Sequence, residues 1–134
     1  MEQAAWQEVE RLELHTQATP AAVPAVRRAV VEFAELHGVG IAPDVALAVS
    51  EAITNAVLHA YRDHSAGPVR VVACAEPDRL VVVVRDYGCG MSPHPDSPGL
   101  GLGLSVIGRL ATELNIERPA EGGGTRLRMC FAHA

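Results

Sequence analysis

Aromatic residues are scarce, four per cent of 134 residues, so a platform on which nucleic-acid bases stack is not expected. Positive charge is not in excess: the net charge is −5 and the sequence pI about 5.6, which argues against nucleic acid or an anionic membrane as the main partner. Cysteine is limited to Cys74, Cys89 and Cys130, with no CxxC pair and no metal-ligand spacing. Reduced thiols in a cytosolic protein are the simplest reading, and Cys89 is assigned no role. No apolar run approaches about 18 residues, the length that suggests a membrane span. The opening "MEQAAWQEVERLELHTQA" lacks the apolar core of a signal peptide. No GxxxxGK[ST] phosphate loop occurs. Together these absences point to a soluble, cytoplasmic protein.

What is present is a globular composition, 49% hydrophobic and 20% charged, at a length that fits one domain over residues 1–134. "WQEVERLELHTQ" alternates and predicts an opening strand anchored by Val9, Leu12 and Leu14. "TPAAVPAVRRAVVEFAELHG" predicts a helix, with Thr19 as cap, Pro20 in the first turn and Gly38 after the last. Val23, Val26, Val30, Phe33 and Leu36 would form its core-facing stripe. A second helix begins near "APDV", where Asp44 favours the N-terminus, and runs to about Tyr61. "VRVVACAE" and "LVVVVRD" read as two strands of a hairpin turning at "PDR". "YGCGMSPHPDSPGLGLG" is too punctuated for helix or strand and predicts a long loop, of the kind usually tied to function. "LSVIGRLATEL" predicts a third helix, followed by short strands at "NIER" and "TRLRMCF". This order predicts an α+β, two-layer sandwich, with helices packed on one face of a mixed, mostly antiparallel sheet.

Four fragments carry candidate chemistry. In "SEAITNAVLHAY", Glu51, Asn55 and His59 recur at i,i+4 and form a polar row beside Val45, Val49, Ile53, Ala56 and Ala60. Asn is a poor helix-interior residue, because its side chain competes for backbone hydrogen bonds. A solvated helix face explains the row as well as a site does. On the site reading, Asn55 offers an amide oxygen to a hard cation and Glu51 takes a proton from a hydroxyl. "VVVVRDYGCGM" ends a strand in Asp86, able to accept a hydrogen bond from an exocyclic amine, and Gly88 and Gly90 permit close backbone approach. Alone it reads better as an ordinary turn. "PGLGLGLSVIGRL" leads glycines, Gly101 and Gly103 among them, into a helix N-terminus that favours an anion. "EGGGTRLRM" opens the last strand with Thr125.

In this order the four fragments resemble the N, G1 and G2 boxes and the closing Gly-Thr motif of the GHKL (histidine kinase-like) ATPases. The "SEAxTNAxxHAY" form is most similar to bacterial anti-sigma factor serine kinases of partner-switching pathways. That resemblance implies the Bergerat ATP-binding fold and the cofactors ATP and Mg²⁺. It implies Asn55 on the metal, Glu51 as general base, Asp86 on the adenine amine with Thr125 assisting, and Gly88 and Gly90 at the start of a lid. It implies Gly101 and Gly103 at the phosphates, His59 where relatives place a basic residue, and "SPHPDSPG" as a mobile lid. It further implies a sigma factor and a STAS-domain anti-anti-sigma protein as partners, phosphotransfer to Ser or Thr of the latter, and a homodimer as an option. The lid, with "GLGLGL", resembles those of switch kinases and stand-alone ATP-binding relatives more than the shortest anti-sigma lids, and a switch kinase that binds no sigma factor is one alternative. A nucleotide-dependent binding module without transfer is the other alternative.

Overall fold

Runs of β-branched residues bounded by proline and glycine become strands, and the intervening Ala- and Val-rich stretches become helices. The computed structural model describes residues 10–38, 42–60, 66–88 and 98–133, of which His59 and residues 98–103 only in their backbone. Its elements are β1 (Glu10–Gln17), α1 (Ala22–Leu36), α2 (Ala42–Asn55) with a π-helical turn (Ala56–Ala60), β2 (Pro68–Ala75), β3 (Arg79–Asp86), α3 (Pro98–Leu110), β4 (Glu113–Glu117) and β5 (Thr125–Ala132). The strands form one five-stranded sheet in the order β1-β2-β3-β5-β4, and every described pairing is antiparallel. The expected α+β sandwich is therefore present, with its sheet wholly antiparallel among the described residues. β3 lies at its centre.

Register decides which side chains meet the helices. Because side chains alternate along a strand, Leu12 and Leu14 share one face with Val69, Val71, Ala73, Leu80, Val82, Val84, Leu127, Met129 and Phe131. These residues and the inner faces of α1 and α2 make the core. With aromatics so few, Phe131 is the largest fully buried side chain, and alanines fill the helix side. Ala34, Ala48, Ala52 and Ala56 are fully buried, which lets helix and sheet backbones approach closely.

Several expectations need correcting. In α1 the buried series is Ala22, Val26, Val30 and Ala34, while Leu36 is 79% exposed. Six residues past Val30 is not a whole number of turns at about 3.6 residues per turn, so Leu36 rotates off the stripe. Thr19 is not the side-chain cap: Ala21 occupies that position, and the Thr19 carbonyl accepts the Ala22 N–H at 2.9 Å. Pro24 rather than Pro20 falls in the first turn, and Gly38 ends the helix at φ +73° as expected. The third helix begins at Pro98, earlier than predicted, so "PGLGLG" is helical rather than loop. Glycine disfavours a helix by up to about 1 kcal/mol per residue, which is why the glycine pattern read as loop. Val9 lies outside the described residues.

Candidate functional site

Polarity returns at one end of the buried face. The inward series of β3 runs Leu80, Val82, Val84 and then Asp86, and that of β5 runs back through Leu127 to Thr125. Asp86 and Thr125 are cross-strand partners, and both are 0% exposed. Asp86 Oδ1 accepts the Gly88 N–H at 3.1 Å, while Oδ2 has no hydrogen-bond partner. Burial pushes the Asp86 carboxyl above its ordinary value of 3.8, opposed by the backbone N–H groups of Gly88 and Thr125 and by the charge of Arg85. A buried acceptor without a donor costs free energy unless something supplies one.

A second unsatisfied group sits at the end of α2. Asn55 is its last α-helical residue, 3% exposed, with Nδ2 unpartnered. Glu51 is one turn earlier and partly buried. Of the i,i+4 row predicted over Glu51, Asn55 and His59, the first two lie in the α-helix, and the π-helical turn Ala56–Ala60 follows at once. Such turns add a residue to the helical repeat and recur at functional sites. The side chain of His59 lies outside the described residues.

The π-helical turn joins the two places. A Cβ on Gly88 would overlap the carbonyl of Ala60, so only glycine lets the chain leaving Asp86 pass this close to the end of the helix. Gly124 plays the matching part on β5: it has φ +73°, and a Cβ there would overlap the Asp86 carbonyl. Sequence reasoning put Gly124 in the Gly-Thr motif and Ala60 beside the polar row, but gave neither this part. The run of three glycines before Thr125 was the available signal for the first, whereas nothing in "AVLHA" announces the second.

The remaining predicted positions divide. Gly90 and Cys89, with residues 92–97 of the expected lid, lie outside the described residues, while its last two, Pro98 and Gly99, begin α3. Gly101 and Gly103 are inside α3, not before it. With Pro98 as first helical residue, the unladdered N–H groups belong to Gly99 and Leu100, and Gly101 begins the closed ladder.

One end of the sheet thus presents an unpaired buried carboxylate oxygen, close to the π-helical turn that follows a buried carboxamide one turn from a second carboxylate. Residues 16–131 match the family described as the histidine kinase-like ATPase domain. The chain belongs to that family. Among curated relatives it is similar to an "Anti-sigma F factor" of Clostridium novyi, 34% identical over 97 residues, 64% of this chain and 67% of that protein. It is also similar to a "Serine-protein kinase RsbW" of Bacillus licheniformis, 38% identical over 80 residues, 60% of this chain and 46% of the relative. A second protein of that name, from Bacillus velezensis, is 40% identical over 89 residues, 55% of this chain and 56% of the relative. The chain spans about two thirds of the first of these and about half of the other two. No helix among the described residues of this histidine kinase-like ATPase domain is long and apolar enough to cross a membrane.

Proposed function

We propose that this chain is an ATP- and Mg²⁺-dependent protein serine/threonine kinase that phosphorylates a STAS-type anti-anti-sigma protein and sequesters a sigma factor. The observation that carries the reading is the fully buried Asp86, whose Oδ2 lacks a donor at a strand end flanked by glycine. An exocyclic amine is the donor that such an oxygen lacks, and adenine has one. The names of the relatives, an anti-sigma factor and serine-protein kinases, support the activity and the partners.

The residues fit Mg·ATP. Turning the Asn55 carboxamide by 180° exchanges its nitrogen for its oxygen, a hard ligand suited to Mg²⁺. Among the described residues no group of three His, Cys, Asp or Glu could hold a metal alone. A cation bound through Asn55 would share its coordination with phosphate oxygens and water, as Mg²⁺ commonly does. Bound there, Mg²⁺ would offset phosphate charge as the γ-phosphoryl group transfers. Asp86, with Thr125 beside it, holds the purine, and Gly88 and Gly90 admit it. Gly101 and Gly103 keep the start of α3 free of side chains where the phosphates lie. The chain has no lysine, so a basic contribution at the phosphates falls to arginine or His59. Glu51 takes the proton of the attacking Ser or Thr hydroxyl. The hydroxyl oxygen bonds to the γ-phosphorus as the bond from that phosphorus to the β-phosphate oxygen breaks, leaving ADP and the phosphorylated partner.

The test adds ATP labelled on its γ-phosphate, with Mg²⁺, to the protein and a STAS-domain partner. Label on a Ser or Thr of the partner, present with wild type and absent with Glu51→Ala, supports the reading. Transfer that survives Glu51→Ala removes Glu51 as the base. ATP binding with no transfer by either protein favours a nucleotide-dependent binding module. Transfer without any sigma-factor binding favours a switch kinase.

A further inference from the structure

Arg85 and Asp86 are consecutive on β3 and so point to opposite faces of the sheet. On the outer face Arg85 lies between two other arginines, Arg70 of β2 and Arg126 of β5. Its neighbours are paired conventionally: Arg70 Nε reaches Glu13 Oε2 at 3.0 Å, and Arg126 Nε reaches Glu117 Oε1 at 2.6 Å. Arg85 is different. It is 8% exposed, and its guanidinium donates to three backbone carbonyls. Nη1 donates to Asp86 at 3.1 Å and to Gly123 at 2.7 Å, and Nη2 donates to Glu121 at 3.0 Å. It also lies over the Tyr87 ring, 4.4 Å from the centroid.

Those partners belong to two segments. One is the turn Glu121–Gly124, where Gly122, Gly123 and Gly124 have φ of +81°, +65° and +73°. Three successive glycines have no intrinsic preference for one conformation and lose the most entropy on ordering, so something outside the turn must select it. A Cβ on Gly122 would come within 3.1 Å of Arg85 Nη2, so the turn is built around this side chain. The other segment is the exit of β3 through Tyr87 to Gly88. The first segment delivers the N–H of Thr125 to Asp86 and the second delivers that of Gly88.

We infer that Arg85 is a positioning residue for purine recognition: from the far face of the sheet it fixes both segments whose N–H groups orient Asp86, leaving Oδ2 to read the 6-amino group. This rests on Asp86 as the adenine acceptor. Arg85 touches no nucleotide; it acts through the two segments. A planar fork with several donors suits this task, and a point-charge ammonium suits it less.

The test compares equilibrium affinities for ATP and for inosine triphosphate, which carries a carbonyl oxygen where adenine has its amine. Wild type, Arg85→Met and Arg85→Lys are measured at a temperature where thermal melts show each folded. Wild type prefers ATP by about a hundredfold or more, because a hydrogen-bonding site rejects an analogue lacking the donor. Arg85→Met is expected to weaken ATP by about tenfold while inosine triphosphate stays near its wild-type value, so the preference shrinks by the same factor. Arg85→Lys is expected to fall between. A folded Arg85→Met with the wild-type preference overturns the inference and leaves Arg85 a role in stability alone. If Arg85→Met does not fold, Arg85→Lys decides: a reduced preference supports the inference, and an unchanged one overturns it. Absence of preference in wild type overturns the adenine reading itself, and this inference with it.

Discussion

The two faces of the sheet are made from the same strands by alternate residues, yet they treat charge in opposite ways. On the outer face Glu13 accepts from Arg11, His15 and Arg70 at 2.9–3.0 Å, and Glu117 pairs with Arg126. The helix-facing layer is apolar until its last row, where Asp86 is buried with an oxygen unpartnered, and Asn55 ends α2 with its amide unpartnered. Exposed pairs of this kind contribute little to stability, since water screens them. A buried carboxylate with one oxygen left unpartnered is costly, so its presence points to a ligand rather than to the fold. The location of charge therefore says less than whether its hydrogen bonds are complete.

The largest break in this comparison should come from Asp86→Ala. A hydrogen bond to an ionised group contributes about 1.5–3 kcal/mol, so ATP affinity should fall by roughly tenfold to a hundredfold in a calorimetric titration. Gly124→Ala comes next. It places a Cβ against the Asp86 carbonyl at a left-handed φ, and urea unfolding should show a loss of about 2 kcal/mol or more. Gly108 is the control, helical and with open space at its Cβ position, so Gly108→Ala should stabilise by about 0.5–1 kcal/mol in the same assay.

Acidity separates the two carboxylates by sign. Hydrogen bonds from Arg70 and His15 lower Glu13 from 4.5 to about 2, so its stabilising contribution is present above 4.5 and fades as pH falls toward 2. Asp86 is raised above 3.8 by burial, so its contribution to stability is full below 3.8 and is lost as pH rises through the folded-state value. Amine recognition requires the ionised form, so ATP affinity should decline on acidification at a pH above the ordinary aspartate range. Titrations at stepped pH check this, and the decline should vanish in Asp86→Ala. The smallest effect should be Glu13→Ala, with ATP affinity unchanged and a melting shift near the limit of detection.

Much of the sheet was legible because valine runs bounded by proline and glycine leave few alternatives. The strands at Pro68–Ala75, Arg79–Asp86 and Thr125–Ala132 fall within a residue of expectation. The π-helical turn was not legible, since "AVLHA" continues the apolar pattern of α2 and the departure shows only where Ala60 meets Gly88. The start of α3 was misread because glycine propensity argued for a loop. Asp86 and Thr125 stood out by their place in an ordered set of motifs, before register made them cross-strand partners. Arg85 gave no such signal: an arginine at an outward strand position reads as solvent-facing, and only its three carbonyl acceptors distinguish it from Arg70 and Arg126.

The central claim is that Asp86 Oδ2 awaits the 6-amino group of adenine. It is tested most directly on the unsubstituted protein, by titrating ATP against the purine riboside triphosphate that has hydrogen in place of that amine. Binding of the analogue at least about tenfold weaker than ATP is the predicted result, the loss of one hydrogen bond to a buried carboxylate. Equal affinity for the two would contradict the account, because the buried oxygen would then have no part in recognising the base.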